Sequence, residues 1–84
     1  MVDSKSKKSS IKFNLRRLGT VIRDRRQELE LSQEDLADLC KLHRTYISGI
    51  ERGVRNPTIT CIDDVARALR LGLTELVRRT EVRR

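Results

Sequence analysis

Apolar residues in this chain recur three and four positions apart, the spacing of one face of an α-helix. In IKFNLRRLGTVIRDRRQELEL, Leu15, Leu18, Ile22 and Leu29 make one stripe with charge around the rest, predicting a first helix over about 13–29. Gly19 weakens that helix slightly, which fits a neighbouring helix passing close by. In LSQEDLADLC, Ser32 stands as N-cap with Asp35 three positions on, a variant of the capping box. Glu34 and Asp35 suit the positive end of the helix dipole. Leu36, Ala37 and Cys40 then form the inner face of a short second helix over 33–40.

KL turns the chain, and a third helix is predicted over 44–52, anchored by Ile47 and Ile50 and stopped by Gly53. VRNP reads as a loop closed by Pro57. TITCIDDVARALRLG predicts a fourth helix over 60–70, with Ile62, Val65, Ala66 and Leu69 inside and Gly72 ending it. LTELVRR offers Thr74 as N-cap of a short fifth helix carrying Leu76 and Val77. The opening MVDSKSKKSS has no periodicity and reads as a disordered arm. The expected architecture is all-α: a compact five-helix domain over 11–79, between a basic arm at 1–10 and a basic tail at 80–84.

Composition narrows the class. Eighty-four residues support one domain with a modest core. Phe13 and Tyr46 are the only aromatic residues, fewer than most enzyme pockets and large β-sandwiches use. The formal charge is +7, and its placement matters more than its total. Residues 1–10 carry Lys5, Lys7 and Lys8 against Asp3, and residues 78–84 carry four arginines against Glu81. The segment between is nearly balanced, except that Lys41, Arg44, Arg52 and Arg55 face only Glu51 across residues 41–56. A local basic patch of this kind suits a phosphate backbone. Cys40 and Cys61 lack the spacing and the partner ligands of a zinc site and read as reduced, largely buried thiols. No signal-peptide core and no long apolar run is present, so a cytoplasmic protein is expected, with no membrane partner, metal or cofactor.

Two short helices joined by a tight turn, the second polar on its outer side, fit a helix-turn-helix over 33–52. Such a unit presents one helix to the major groove while its partner crosses the backbone. Ala37 lets the two helices approach. Ile47 and Ile50 point inward, leaving Arg44, Thr45, Ser48 and Gly49 outward, with Gly49 expected to leave room for the duplex. Ser48, His43 and Asp38 can be set down on paper as a triad, but no nucleophile elbow or enclosed pocket supports one, and no enzymatic activity is expected.

LSQEDLADLCKLHRTYISGIERGVRNPT resembles the phage-repressor-type (Xre/Cro/C1) helix-turn-helix family. Within that family RTYISGIERGVRNPT is most similar to the controller proteins of bacterial restriction–modification systems. The resemblance covers about residues 15–77. It implies a lambda-repressor-like, dimeric, sequence-specific DNA-binding regulator. By the same resemblance Gln33 fixes a phosphate, while Arg44, Thr45 and Ser48 reach base edges. Tyr46, Arg52, Arg55 and Asn56 contact the backbone or flanking positions, and Arg26 and Glu51 form a buried pair joining the first helix to the third. Each contact has a plainer alternative. Arg55 reads equally as a solvated loop charge, and Tyr46 as a ring packed on the domain with its hydroxyl outward.

Two positions depart from the family pattern. Lys41 stands where Gly or Asn is usual, so a left-handed turn there would cost about 1–2 kcal/mol. His43 stands where Ser or Asp normally caps the recognition helix, predicting either a looser helix start or an imidazole resting on a phosphate.

One recognition helix reads too few base pairs for a promoter, so a homodimer on an inverted repeat is expected, its half-sites about 34–36 Å apart. Leu71, Leu73, Leu76 and Val77 are the expected interface, the alternative being that they only close the monomer core. No effector pocket for a small molecule is read here, so control is expected from concentration and operator arrangement, with RNA polymerase a candidate partner. The competing reading is an antitoxin-type module that masks a partner protein and represses its own operon.

Overall fold

The computed structural model describes residues 14–81, so the expected arm at 1–10 and residues 82–84 of the tail lie outside the described residues. Five helices follow one another: α1 (Leu15–Glu28), α2 (Gln33–Cys40), α3 (Arg44–Glu51), α4 (Ile59–Ala68) and α5 (Leu73–Glu81). Among the described residues there is no strand, no helix long and apolar enough to cross a membrane, and no metal-ligating cluster.

Each start has a local cause. Asn14 caps α1 by accepting from the Arg17 N–H at 3.0 Å. At α2 the capping box is complete: Ser32 Oγ accepts from the Asp35 N–H at 2.9 Å, and the Asp35 carboxylate accepts from the Ser32 N–H at 2.9 Å. The Ser32 backbone N–H and, after it, the Ser32 side chain hold the Asp35 carboxyl below the usual carboxylate range. Thr58 caps α4 through the Cys61 N–H, so that helix begins one residue earlier than its apolar pattern predicts. Thr74 is not a cap. Helix α5 begins at Leu73, and the Gly72 carbonyl accepts from the Leu76 N–H at 3.1 Å, which places Thr74 within the first turn.

The ends share one closure. The Leu31 N–H reaches back to the Arg26 carbonyl, Leu42 to Ala37, Val54 to Gly49 and Leu71 to Ala66, each a six-to-one hydrogen bond of 2.8–3.0 Å. The residue before each takes a left-handed conformation: Glu30, Lys41, Gly53 and Arg70, with φ of 60°, 59°, 77° and 61°. Helix α4 therefore stops at Ala68 through Arg70, not at Gly72.

Leu18, Ile22, Leu36, Ala37, Cys40, Ile47, Ile50, Ile62, Val65, Ala66, Leu69 and Leu76 form one core. Helix α3 lies against α1 and α2, α4 against α2 and α5, and α5 against α1. Gly19 lets α1 touch the backbone of α3, since an added Cβ would run into the carbonyls of Ile50 and Glu51. Two α1 arginines close other helices: Arg25 Nε donates to the Leu69 carbonyl at 3.0 Å and Arg17 Nε to the Thr80 carbonyl at 2.8 Å. Thr80, expected in the tail, is helical and buried, so the fold continues past residue 79.

Candidate nucleic-acid interface

The turn from α2 to α3 positions the polar face. Lys41 closes α2 in the left-handed conformation, and His43 caps α3. The His43 cap is specific. Its Nδ1 accepts from the Thr45 backbone N–H at 3.2 Å and therefore carries no proton there. The 2.8 Å approach of Thr45 Oγ1 to the same nitrogen is then a hydroxyl donating to it, which leaves only oxygen lone pairs and a methyl facing outward. The imidazole thus belongs to the helix start, which its sequence position left in question.

Beneath this face lies a four-residue polar network. Arg26 Nε donates to Glu51 Oε2 at 2.7 Å and Arg26 Nη2 to Glu51 Oε1 at 3.0 Å, with both side chains buried. A third nitrogen, Nη1, donates to the Leu31 carbonyl at 2.8 Å. The hydrogen bonding of Arg26 to Glu51, opposed by burial and helped by the Glu51 charge, raises the Arg26 pKa. Gln33 Nε2 donates to Glu51 Oε1 at 3.0 Å. Nothing in the local spacing signals that link, because Gln33 and Glu51 lie 18 residues apart. It fixes the carboxamide at the start of α2, with its second N–H hydrogen unused by Glu51.

Cations divide by whether a carboxylate already holds them. Arg25 pairs with Glu28, Arg67 with Asp63, and Arg78 and Arg79 with Glu75. Arg44, Arg52 and Arg55 are exposed and have no carboxylate partner among the described residues. All three lie on α3 or just after it, with Lys41 in the turn before it; Arg16, Arg17 and Arg70, also without a carboxylate, lie elsewhere. Arg44 and Thr45 are exposed at its N-terminus, Ser48 is half-buried one turn on, and Asn56 is exposed in the following loop. An unpaired guanidinium beside lone-pair acceptors is the equipment for phosphate and base-edge contact.

Gly49 differs from its expected placement, and Tyr46 takes the packed one of its two alternatives. Gly49 is buried and not outward as expected, and a Cβ built there would sit 2.5 Å from Arg55 Cγ, so its bareness accommodates Arg55. Tyr46 is half-buried against the core, with the Arg55 guanidinium carbon 5.5 Å from its ring centre. Cys40 is buried, and burial pushes its thiol up to about 11, so it is protonated and unreactive at neutral pH.

Residues 22–76 match the family described as helix-turn-helix. This chain belongs to the helix-turn-helix family. Its relatives in that family are specific in kind. The control protein C.SmaI of Serratia marcescens is 41% identical over 62 residues, which are 74% of this chain and 74% of that protein. The control protein C.BamHI of Bacillus amyloliquefaciens is 56% identical over 39 residues, 46% of this chain and 48% of its own length, so the likeness spans about half of that relative. Among solved structures, the restriction-modification controller protein C.AhdI of Aeromonas hydrophila superposes with a TM-score of 0.72 at 42% identity, over 74% of this chain and 94% of its own. The controller protein C.Esp1396I, solved as a tetramer in complex with its natural 35 base-pair operator, gives a TM-score of 0.71 at 39% identity over 81% of this chain and 95% of its own. The all-α helix-turn-helix fold and the controller-protein relationship expected from the sequence are both upheld.

Proposed function

We propose that the protein is a sequence-specific, double-stranded-DNA-binding transcriptional regulator, a restriction–modification controller that acts on its own promoter as a homodimer at an inverted repeat. One observation carries the reading: of the described cations without a carboxylate partner, Lys41, Arg44, Arg52 and Arg55 are gathered on α3 and the turns at its two ends, while Arg16, Arg17 and Arg70 lie apart from it. The relatives add weight, since control proteins resemble this chain in sequence and C.Esp1396I was solved on its operator.

In this reading α3 enters the major groove N-terminus first. Arg44 takes a guanine edge in bidentate fashion, and Ser48 and Thr45 read beside it. Because the Thr45 hydrogen is committed to His43, Thr45 offers a base only an acceptor or its methyl. That suits an amino group of adenine or cytosine, or a thymine methyl. Gln33, held by Glu51, turns its remaining N–H hydrogen to a phosphate at the start of α2, and Arg52, Arg55, Tyr46 and Asn56 flank the groove. Such a protein works at the nucleoid, in the cytoplasm.

The test begins with an inverted-repeat duplex selected from a random pool by the parent protein. Fluorescence anisotropy then compares parent and R44A/S48A at two salt concentrations. The parent should bind with a steep salt dependence and keep its preference for the repeat at the higher salt. The variant should lose about one to two orders of magnitude in affinity for that duplex, the scale of one bidentate base contact. Equal affinity of parent and variant refutes the docking.

A further inference from the structure

The outer face of α3 ends in an interlock that the sequence does not announce. Val54 and Arg55 both donate their backbone N–H to the Gly49 carbonyl, at 3.0 and 3.3 Å, folding the loop back over the helix. The Arg55 side chain then lies flat on Gly49. An added Cβ would stand 2.5 Å from its Cγ, 3.3 Å from Nε and 3.5 Å from Cδ. Beyond that point the guanidinium carbon sits 5.5 Å from the centre of the Tyr46 ring, one turn earlier on the same face. Gly49 and Tyr46 together make a track: bare backbone for the arginine stem, an aromatic face for its charge. No carboxylate competes for that charge among the described residues.

We propose that Gly49 is a positioning residue for DNA binding: its missing side chain lays Arg55 across α3 onto Tyr46 and sets the guanidinium at the rim of the reading face before DNA arrives. The proposal rests on the reading above that Arg55 faces DNA. A flexible arginine loses rotamer freedom when it takes hold of a phosphate or base, and a seated one has already given that freedom up. The same glycine is a weak residue inside a helix, so its presence in α3 calls for a compensating use. The nearest atom it spares, Arg55 Cγ, lies near the root of the side chain, so an alanine moves Arg55 by turning the whole side chain about its first bond; the three nearest atoms all belong to that side chain and none to backbone.

Three variants test this: G49A, R55A and G49A/R55A, each followed by thermal melting and by anisotropy on the selected repeat at two salt concentrations. G49A should melt within a few degrees of the parent, because the better helix propensity of alanine offsets the lost packing of Arg55. G49A and R55A should each bind about tenfold more weakly, with the salt slope lower by about one if the lost contact is to a phosphate. The double variant should bind no more weakly than R55A. Parent-like binding by G49A alongside weak binding by R55A overturns the seat and leaves the Arg55 contact standing. A further tenfold loss when G49A is added to R55A also overturns it, since Gly49 would then face the duplex directly. A G49A melting temperature several degrees below the parent's makes the glycine structural and overturns it too. Parent-like binding by R55A removes both the contact and the seat, while R44A/S48A still reports separately on the docking.

Discussion

Lys41 sits in the left-handed conformation at φ 59° and ψ 41°, between the two helices of the reading unit. A lysine side chain there costs about 1–2 kcal/mol relative to a residue without a Cβ. Glycine removes that cost and adds some freedom to the unfolded chain, an opposing effect of about 0.4–1 kcal/mol. Lys41→Gly should therefore stabilise the domain by about 0.5–1 kcal/mol, read as a higher melting temperature. A lower one would contradict the turn geometry. Glu51 shows the opposite economy. It is buried and serves three donors, two from Arg26 and one from Gln33, so its loss would strand a buried cation and free the amide at once. Breaking such a pair costs about 3–5 kcal/mol, comparable with the lower end of a small domain's whole stability. The residue thus ties three parts of the fold together: it fixes Gln33 and holds α3 to α1.

The helices were largely legible in the sequence, because apolar periodicity over Leu18 to Ile22, Leu36 to Cys40 and Ile62 to Leu69 is what core burial requires of each face. Their ends were legible only in part. Ser32 and Gly53 are strong local signals, and both act as expected. Gly72 was a false stop, since α4 ends through Arg70 and is closed by the Leu71 N–H. The signal that marks three of these ends is a leucine after the turning residue, in Glu30–Leu31, Lys41–Leu42 and Arg70–Leu71, where partial burial of the apolar side chain accompanies the reversed backbone; Val54 after Gly53 is exposed. At the site, Arg44, Thr45 and Ser48 were readable from their outward spacing. The burial of Gly49 was not, because it depends on a loop residue six positions later folding back. Helix contact makes the two glycines of this packing differ. At Gly19 a Cβ meets the carbonyls of Ile50 and Glu51, which are backbone atoms that cannot swing aside. Gly19→Ala should push α1 away from α3 and cost about 1–3 kcal/mol despite the better helix propensity of alanine, read by urea unfolding. Unchanged or greater stability would show that the two helices are not in backbone contact.

At the scale of the whole molecule, the expected interface of Leu71, Leu73, Leu76 and Val77 has to be divided. Leu76 is fully buried in the core of the single chain and cannot also meet a partner. Leu71 and Leu73 are half-buried and pack on that core, whereas Val77 is half-buried outside it. If two chains meet about a two-fold axis here, each surface residue is presented twice, and Val77 is the position where a charge would be felt by the partner and not by the fold. Val77→Asp places one carboxylate on each side of such a joint. Burying like charges against one another across an interface costs several kcal/mol, enough to weaken association at least about a hundredfold. The variant should melt like the parent when dilute yet sediment as a monomer at concentrations where the parent is dimeric. Its affinity for the full inverted repeat should fall steeply, while its affinity for an isolated half-site should match that of the parent, because α3 is untouched. Leu76→Ala should behave in the contrary way, losing about 2–5 kcal/mol of stability from a cavity in the core. A Val77→Asp protein that stays dimeric would move the joint off α5, and the two recognition helices would then have to be spaced by another surface.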